Sequence, residues 1–337
     1  MARVLLRYGF LFKKVLTALV TFLLAVVLIF LVLRMTPGDL VNKYALTLQS
    51  QRNIPYNDAR TLAVSMLNYD PDEPVLQAFS RFVSGVFNGS FGQSIYADSI
   101  TAGSIIRQRL PWTLFVASMA LLISFLVGTW MGTRLARKRK GLFATVSQSY
   151  IVISNAIPDY LIGLLLMTVF AVRLGWFPIS GNYSNQSAAE GLLPFIVSIM
   201  HHAFLPVVSM TLAQLGGWAL MMRGSAIGVL GEDYINAAKA RGLPAKTIMR
   251  NYMKKNAILP LITSLTLSFA AVFGGAPLLE SIFNYPGLGS ELNSRIIQRD
   301  FFVAQGILLF TSAIVIVVNL ITDFVYSLVD PRVRREN

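Results

Sequence analysis

The stretch VLTALVTFLLAVVLIFLVL, residues 15–33, contains no charged residue. A hydrocarbon layer about 30 Å thick is crossed by roughly 20 helical residues, so this run predicts a transmembrane helix. Arg3, Arg7, Lys13 and Lys14 precede it as a basic leader would. The run is too long for the apolar core of a signal peptide, however, and Arg34-Met35-Thr36-Pro37 follows where a small-x-small cleavage site would be needed. It therefore reads as a retained anchor. Five more apolar runs follow at 112–133, 144–172, 202–222, 257–278 and 303–325. The third is over-long, so its ends are expected inside those limits. The fold class this predicts is an all-α integral membrane protein with about six transmembrane helices.

Composition agrees with that reading and removes other classes. The chain of 337 residues is 55% hydrophobic and 13% charged, against roughly 25% charge in soluble domains. It has no cysteine, which rules out disulfides and thiolate metal or redox sites. His201 and His202 are adjacent and point to different helix faces, so they do not supply the converging ligands of a metal site. A net charge of +13 would suit nucleic acid, but its distribution follows the positive-inside rule. Segments 1–14, 134–143, 223–256 and 326–337 hold 19 of the 29 Lys and Arg in 70 residues, and the alternate segments hold 10 in 131. Both termini are therefore expected in the cytoplasm. Arg137-Lys138-Arg139-Lys140 reads as an anchor near anionic headgroups.

Between the first two spans, residues 35–111 form an extended external segment with helical signals of its own. Val75, Leu76, Phe79, Phe82, Val83 and Val86 recur at three- and four-residue spacing after Pro74, which predicts an amphipathic helix. Packing against the spans and contact with an external partner both suit its apolar face.

The largest cytoplasmic segment, 223–256, predicts two short helices with a sharp turn between them. The first, Asp233 to Arg241, carries Glu232 and Asp233 at its positive end and Lys239 and Arg241 at its negative end. Gly242 suits a left-handed stop, and Pro244 the first position of the next helix. There Lys246, Arg250 and Lys254 form a basic stripe. Ala237, Ala238 and Ala240 give the first helix a small-residue face flanked by charge. Such a helix either enters a groove on another protein or is simply a good helix former in a loop.

This segment resembles the EAA loop of binding-protein-dependent ABC importers, in which Glu-Ala-Ala-x-x-x-Gly forms the helix that docks on the ATPase. The matching residues are Asn236, Ala237, Ala238 and Gly242, within Asp233-Tyr234-Ile235-Asn236-Ala237-Ala238-Lys239-Ala240-Arg241-Gly242-Leu243. Asn236 stands where the family has its acidic residue, so an ion pair made by that glutamate does not carry over. Asn256-Ala257-Ile258-Leu259-Pro260 is similar to the dipeptide and oligopeptide branch. So are Gly89-Ser90-Phe91-Gly92-Gln93-Ser94, Arg109-Leu110-Pro111-Trp112-Thr113-Leu114, Glu280-Ser281-Ile282-Phe283-Asn284-Tyr285-Pro286-Gly287-Leu288-Gly289, Arg299-Asp300, Asp323, Tyr326 and Asp330-Pro331-Arg332. Together they run the length of the chain.

The resemblance implies a single permease domain over 1–337 with the type I ABC importer fold, in a bacterial or archaeal cytoplasmic membrane. It implies four kinds of neighbour: a second homologous permease, two ATPase subunits, an external solute-binding protein and the lipid itself. Tyr234, Asn236, Ala237, Ala238, Lys239, Arg241 and Gly242 would make the coupling contact. ATP and Mg belong to the partner ATPases, because this chain has no Gly-x-x-x-x-Gly-Lys-Ser/Thr phosphate loop and no cofactor site. Peptides or related small solutes would be the cargo, with oligosaccharide, glutathione and nickel as alternatives in the same branch.

Polar residues inside spans are costly and often mark a pathway. In the third span Gln148, Asn155 and Asp159 fall at i, i+7 and i+11 on one helix face that also includes Val152, and Asp159 follows Pro158, which frees a backbone carbonyl one turn earlier. Asp159 would either meet a solute amino group or hydroxyl, or pair with Arg173 or with another chain. Ser264, Ser268, Ala271 and Gly275 form a small stripe in the fifth span, which suits a pathway or close packing. Gln214 in the fourth suits either a pathway or an interhelical hydrogen bond. An ATP-independent transporter or channel would want a relay of buried charges, yet Asp159 and Asp323 are the carboxylates in these spans. A membrane enzyme would need a nucleophile, a base and an orienting group, which the polar residues do not supply.

Overall fold

The computed structural model describes residues 2–35, 40–67, 73–87, 94, 96, 100–138 and 140–329. The Gly89–Gln93 stretch, Arg139 and Asp330-Pro331-Arg332 lie outside them. In chain order the helices are α1 Ala2–Met35, α2 Leu40–Arg52, α3 Tyr56–Leu67, α4 Val75–Phe87, α5 Ala102–Arg137, α6 Leu142–Ala156 and α7 Asp159–Leu166. Then come α8 Asn185–Glu190, α9 Leu192–Leu230, α10 Asp233–Ala240, α11 Ala245–Thr247, α12 Lys254–Ala257, α13 Leu259–Val272, α14 Pro277–Ile282, α15 Leu288–Ile297 and α16 Phe301–Val329. Wider i→i+5 turns extend α7 over Met167–Arg173 and join α11 to α12 over Ile248–Met253. Four described helices are long and apolar enough to cross a membrane, and two bent helix pairs bring the number to six if each pair is one span.

The chain divides into two compact units, Met1–Pro111 with Glu291–Asn337, and Trp112–Ser290. In the first, α1 packs along α16, where Lys14 Nζ meets Asp323 Oδ2 at 2.8 Å. Asp323 thus has a structural partner. Helix α4 begins directly after Pro74, and its Phe79 and Phe82 rings lie 5.3 and 5.6 Å from the Phe30 ring of α1. Its apolar face therefore packs on a span, although Val75 and Leu76 stay exposed. A buried polar cluster closes the other end of the unit. Asp300 is fully buried and accepts the Ser94 hydroxyl at 2.6 Å and Arg295 Nη1 at 2.9 Å, while Arg295 also pairs with Glu291 at 2.8 Å. Ser94 and Asp300, quoted above from separate motifs, meet here.

In the second unit two spans depart from their predicted form. The run 144–172 is not one helix: α6 and the α7 segment meet at 106°. The cause is Pro158, which lacks an N–H and drives the preceding residue out of the helical region, so that Ile157 is extended at φ −101°, ψ 121°. The run 257–278 is bent by 40° where α12 meets α13, with Pro260 in the first turn beyond the break, and it ends early at Val272. Gly275, at φ +70°, turns the chain away. Helices α5 and α9 instead outrun their predicted ends, α5 passing through Pro111 and α9 reaching roughly 58 Å for its 39 residues.

These two long helices approach closely where glycines allow it. A Cβ on Gly128 would lie 2.6 Å from Trp218 Cβ, and one on Gly132 would lie 2.4 Å from the Ala219 carbonyl oxygen. This is a small-xxx-small contact of the kind that holds membrane helices together.

The Lys14–Asp323 pair gives a direct test of α1 docking on α16. Lys14→Glu or Asp323→Lys alone is expected to lower thermal stability by about 1–3 kcal/mol, since each leaves like charges facing one another beside apolar residues. The double reversal is expected to recover most of it, as measured by the melting of detergent-purified protein.

Candidate functional site

Within the second unit α5, α7, α9 and α13 surround a cavity of about 540 Å³. Four of the six residues proposed from the sequence for a solute path line it: Asp159, Gln214, Ser264 and Ser268. Gln148 and Asn155 do not. The break at Ile157-Pro158 removes them from the register of Asp159, and Asn155 Nδ2 instead donates to the Ile151 carbonyl at 2.7 Å beside Gly216. The whole small stripe of the fifth span, Ser264, Ser268, Ala271 and Gly275, faces the cavity. Gln214 also accepts a 3.3 Å hydrogen bond from Ser124, the interhelical bond expected of it, while it lines the cavity. Asp159 opens α7, where the positive end of the helix complements a carboxylate, and Oδ1 accepts the Tyr160 N–H at 2.8 Å. The expected Asp159–Arg173 pair is not formed. Arg173 sits exposed at the far end of the same segment, roughly 21 Å along the helix axis.

The segment after α9 folds nearly as its sequence reads. Helix α10 ends at Ala240, Gly242 takes φ +72°, and the Gly242 and Leu243 N–H groups donate to the Lys239 and Ala238 carbonyls at 2.9 and 3.2 Å. This paired closure is the Schellman stop, which needs a residue free to adopt positive φ. Pro244 lies just before α11 rather than at its first position. The larger correction concerns Ala238. It is buried against Ile235 and Ile248 within this chain, whereas Tyr234, Asn236, Ala237, Lys239, Arg241 and Gly242 are exposed. The small-residue face predicted for docking is thus split: Ala238 holds α10 to its own support, and Ala237 looks outward.

A second constellation lies at the edge of the cavity. Glu280 is buried at 4% exposure, and Oε1 accepts the Thr113 hydroxyl at 2.9 Å while Oε2 accepts the Ser290 N–H at 2.9 Å. Thr113 Oγ1 in turn accepts the Leu288 N–H at 2.7 Å. Three glycines close on the carboxylate. A Cβ on Gly287 would lie 2.2 Å from Oε2, one on Gly289 3.0 Å from it, and one on Gly275 3.1 Å from Oε1. Burial pushes the Glu280 carboxyl up from its ordinary value, against the opposing pull of Ser290, Thr113, Ala276 and Gly289. Burial and the charge of Glu280 both push the Tyr285 phenol up as well. The sequence offered Glu280 only as one letter of a motif, because nothing local distinguishes a buried carboxylate from an exposed one. Its signal was the pair of glycines at 287 and 289.

The family described as the binding-protein-dependent transport system inner membrane component matches residues 124–335, well over half of the chain. The chain belongs to this family. It is a multi-pass inner-membrane protein, the transmembrane permease of an ATP-driven importer. It is 28% identical over 325 residues to a probable peptide ABC transporter permease protein, y4tP, of Sinorhizobium fredii, covering 96% of this chain and 99% of that one. It is 29% identical over 326 residues to the glutathione transport system permease protein GsiC of Salmonella paratyphi A, covering 97% of this chain and 99% of that one. Among solved structures, the MetNI methionine ABC transporter in inward-facing conformations aligns with a TM-score of 0.51 at 17% identity. That alignment covers 67% of this chain and 96% of the other, a likeness of type I permease fold.

Glu280→Gln keeps the side-chain volume of the permease residue but turns an amide donor toward N–H and hydroxyl donors. A loss of about 1–3 kcal/mol is expected, and a larger one for Gly287→Ala. Because the folded-state value of Glu280 is raised, its contribution is full below the unfolded value of about 4.5 and is lost as pH rises through the folded value. The stability difference between the wild-type protein and Glu280→Gln should therefore shrink as pH increases, as read from melting curves of purified protein.

Proposed function

We propose that the cavity is part of the solute path and that α10 is the element through which a separate ATPase drives it. The observation that carries this reading is the convergence of Asp159, Gln214, Ser264 and Ser268, from three different helices, on one cavity. Polar groups inside spans are expensive unless they pair with each other or with something that passes. Gathering them around a void serves the second use.

The route from α10 to the cavity is short and continuous. Ile235 and Ala238 pack on Ile248, with Val229 and Leu230 of α9 and Tyr252 around them. Helix α9 continues to Met221, Trp218, Gln214 and Met210 on the cavity wall, and the chain beyond Ile248 continues through α12 into α13 with Ser264 and Ser268. A displacement of α10 thus moves both helices that flank it, and both line the path. The exposed face of Tyr234, Asn236, Ala237, Lys239 and Arg241 is the surface left for the ATPase. ATP and Mg act in that partner, and this chain hydrolyses nothing.

In the assembly we infer, a second homologous permease completes the path, two ATPases dock from the cytoplasm, and an external binding protein delivers the solute. Both termini face the cytoplasm. Peptides or closely related small solutes are the cargo that the relatives favour.

Ala237→Arg places bulk on the exposed face and is expected to leave insertion and abundance unchanged while reducing uptake and solute-stimulated ATP hydrolysis at least tenfold. Ala238→Arg is expected to fail earlier, by loss of folded protein, because that position is filled from within. Normal coupling in the Ala237→Arg variant would remove α10 from the ATPase contact. Reporter fusions give the orientation: activity confined to the cytoplasm after Asn337 and to the outside after Gln93 is expected, and the reverse pattern would overturn it.

A further inference from the structure

We propose that Asp159 forms a cation subsite in the cavity, taking the ammonium or guanidinium group of the solute; this rests on the cavity being part of the solute path. Among the described residues Asp159 is the one charged side chain on the cavity wall. Gln214, Ser264 and Ser268 are neutral hydrogen-bonding groups, and the remaining wall is small or apolar, including Leu121, Trp218 and Met221. No ion pair involves Asp159 among the described residues, and its Oδ1 is held by the Tyr160 N–H alone. The basic residue that shares its half-span, Arg173, is at the other end.

A carboxylate next to apolar walls is disfavoured until a cation compensates it. The helix end and the Tyr160 N–H offset part of that cost, and no cation lines the cavity among the described residues, so a solute cation completes the compensation. An amine-bearing solute gains a charge-assisted hydrogen bond at Asp159 and leaves amide or hydroxyl groups for Gln214, Ser264 and Ser268. A neutral sugar leaves the carboxylate unmatched, and an anion meets repulsion. One carboxylate without a histidine or thiolate is also not a transition-metal donor set. The proline break fixes this selectivity, because it brings Asp159 to the cavity while leaving Asn155 and Gln148 away from it.

The absence of cysteine allows a direct test. Ser268→Cys puts a unique thiol of this chain on the cavity wall. In vesicles holding the intact transporter it is modified in turn by the cationic 2-aminoethyl and the anionic 2-sulfonatoethyl methanethiosulfonates, with the adduct read from the mass of this chain. The cationic reagent is expected to react faster, and Asp159→Asn is expected to lower that preference about tenfold, as the loss of one unit charge from the same cavity wall implies. Gln214→Cys repeats the measurement from the opposite wall. An unchanged preference in Asp159→Asn, with the thiol still reactive, overturns the cation subsite and leaves the path reading standing. A thiol that neither reagent reaches at either position overturns the path reading and the subsite with it.

The source of the cation is separated by protection of the Ser268→Cys thiol from N-ethylmaleimide. Protection by alanyl-alanine but not by its N-acetyl form assigns the group to an α-amine. Protection by N-acetyl-alanyl-lysine assigns it to a side chain. Equal protection by alanyl-alanine and N-acetyl-alanyl-alanine overturns the proposal.

Discussion

A buried carboxylate governs one end of the second unit. Glu280 gathers a hydroxyl from α5 and an N–H from the start of α15, and the turn between Pro277 and Ser290 is wound around its two oxygens. The glycines at 275, 287 and 289 follow from this, since the space a Cβ would need is taken by the carboxylate or by backbone held near it. Thr113 extends the arrangement, its oxygen accepting the Leu288 N–H while its own hydroxyl donates to Glu280. Burial makes the charge costly and the donors make it tolerable, so neither half is removable alone. The cavity ends against this turn at Gly275 and Ala276.

Much of this was legible from residue order. Apolar runs of membrane length gave the spans, and the glycine at 242 gave the left-handed stop of α10. The stripe Ser264, Ser268, Ala271 and Gly275 was found by spacing alone, because α13 is regular over most of it and Gly275 stays on the same wall after the helix ends.

What escaped the sequence did so for identifiable reasons. Hydropathy treats 144–172 as one run, since the dipeptide Ile157-Pro158 is as apolar as its surroundings. The backbone restriction that proline places on its predecessor decides the geometry, and it separated Asp159 from Gln148 and Asn155. Ala238 reads as part of an outer face in the sequence because a small residue suits a groove on a partner and a tight internal contact equally well. Which of the two it makes depends on Ile248, ten positions later, and on how the intervening turn closes. The pairing of Thr113 with Glu280 spans 167 residues and carries no local periodicity at all.

The glycines at 128 and 132 have a consequence for how force travels. With α5 and α9 packed nearly backbone to backbone at Gly128 and Gly132, one could not slide along the other without breaking that contact, and the pair would act as one stiff beam. The compliant places are then the two interrupted spans, at Ile157-Pro158 and at the α12–α13 bend, which flank the cavity like elbows. A load applied where α10 meets this beam would be taken up at those elbows, which would let the wall carrying Asp159 and the wall carrying Ser264 and Ser268 shift while the pair between them keeps its shape.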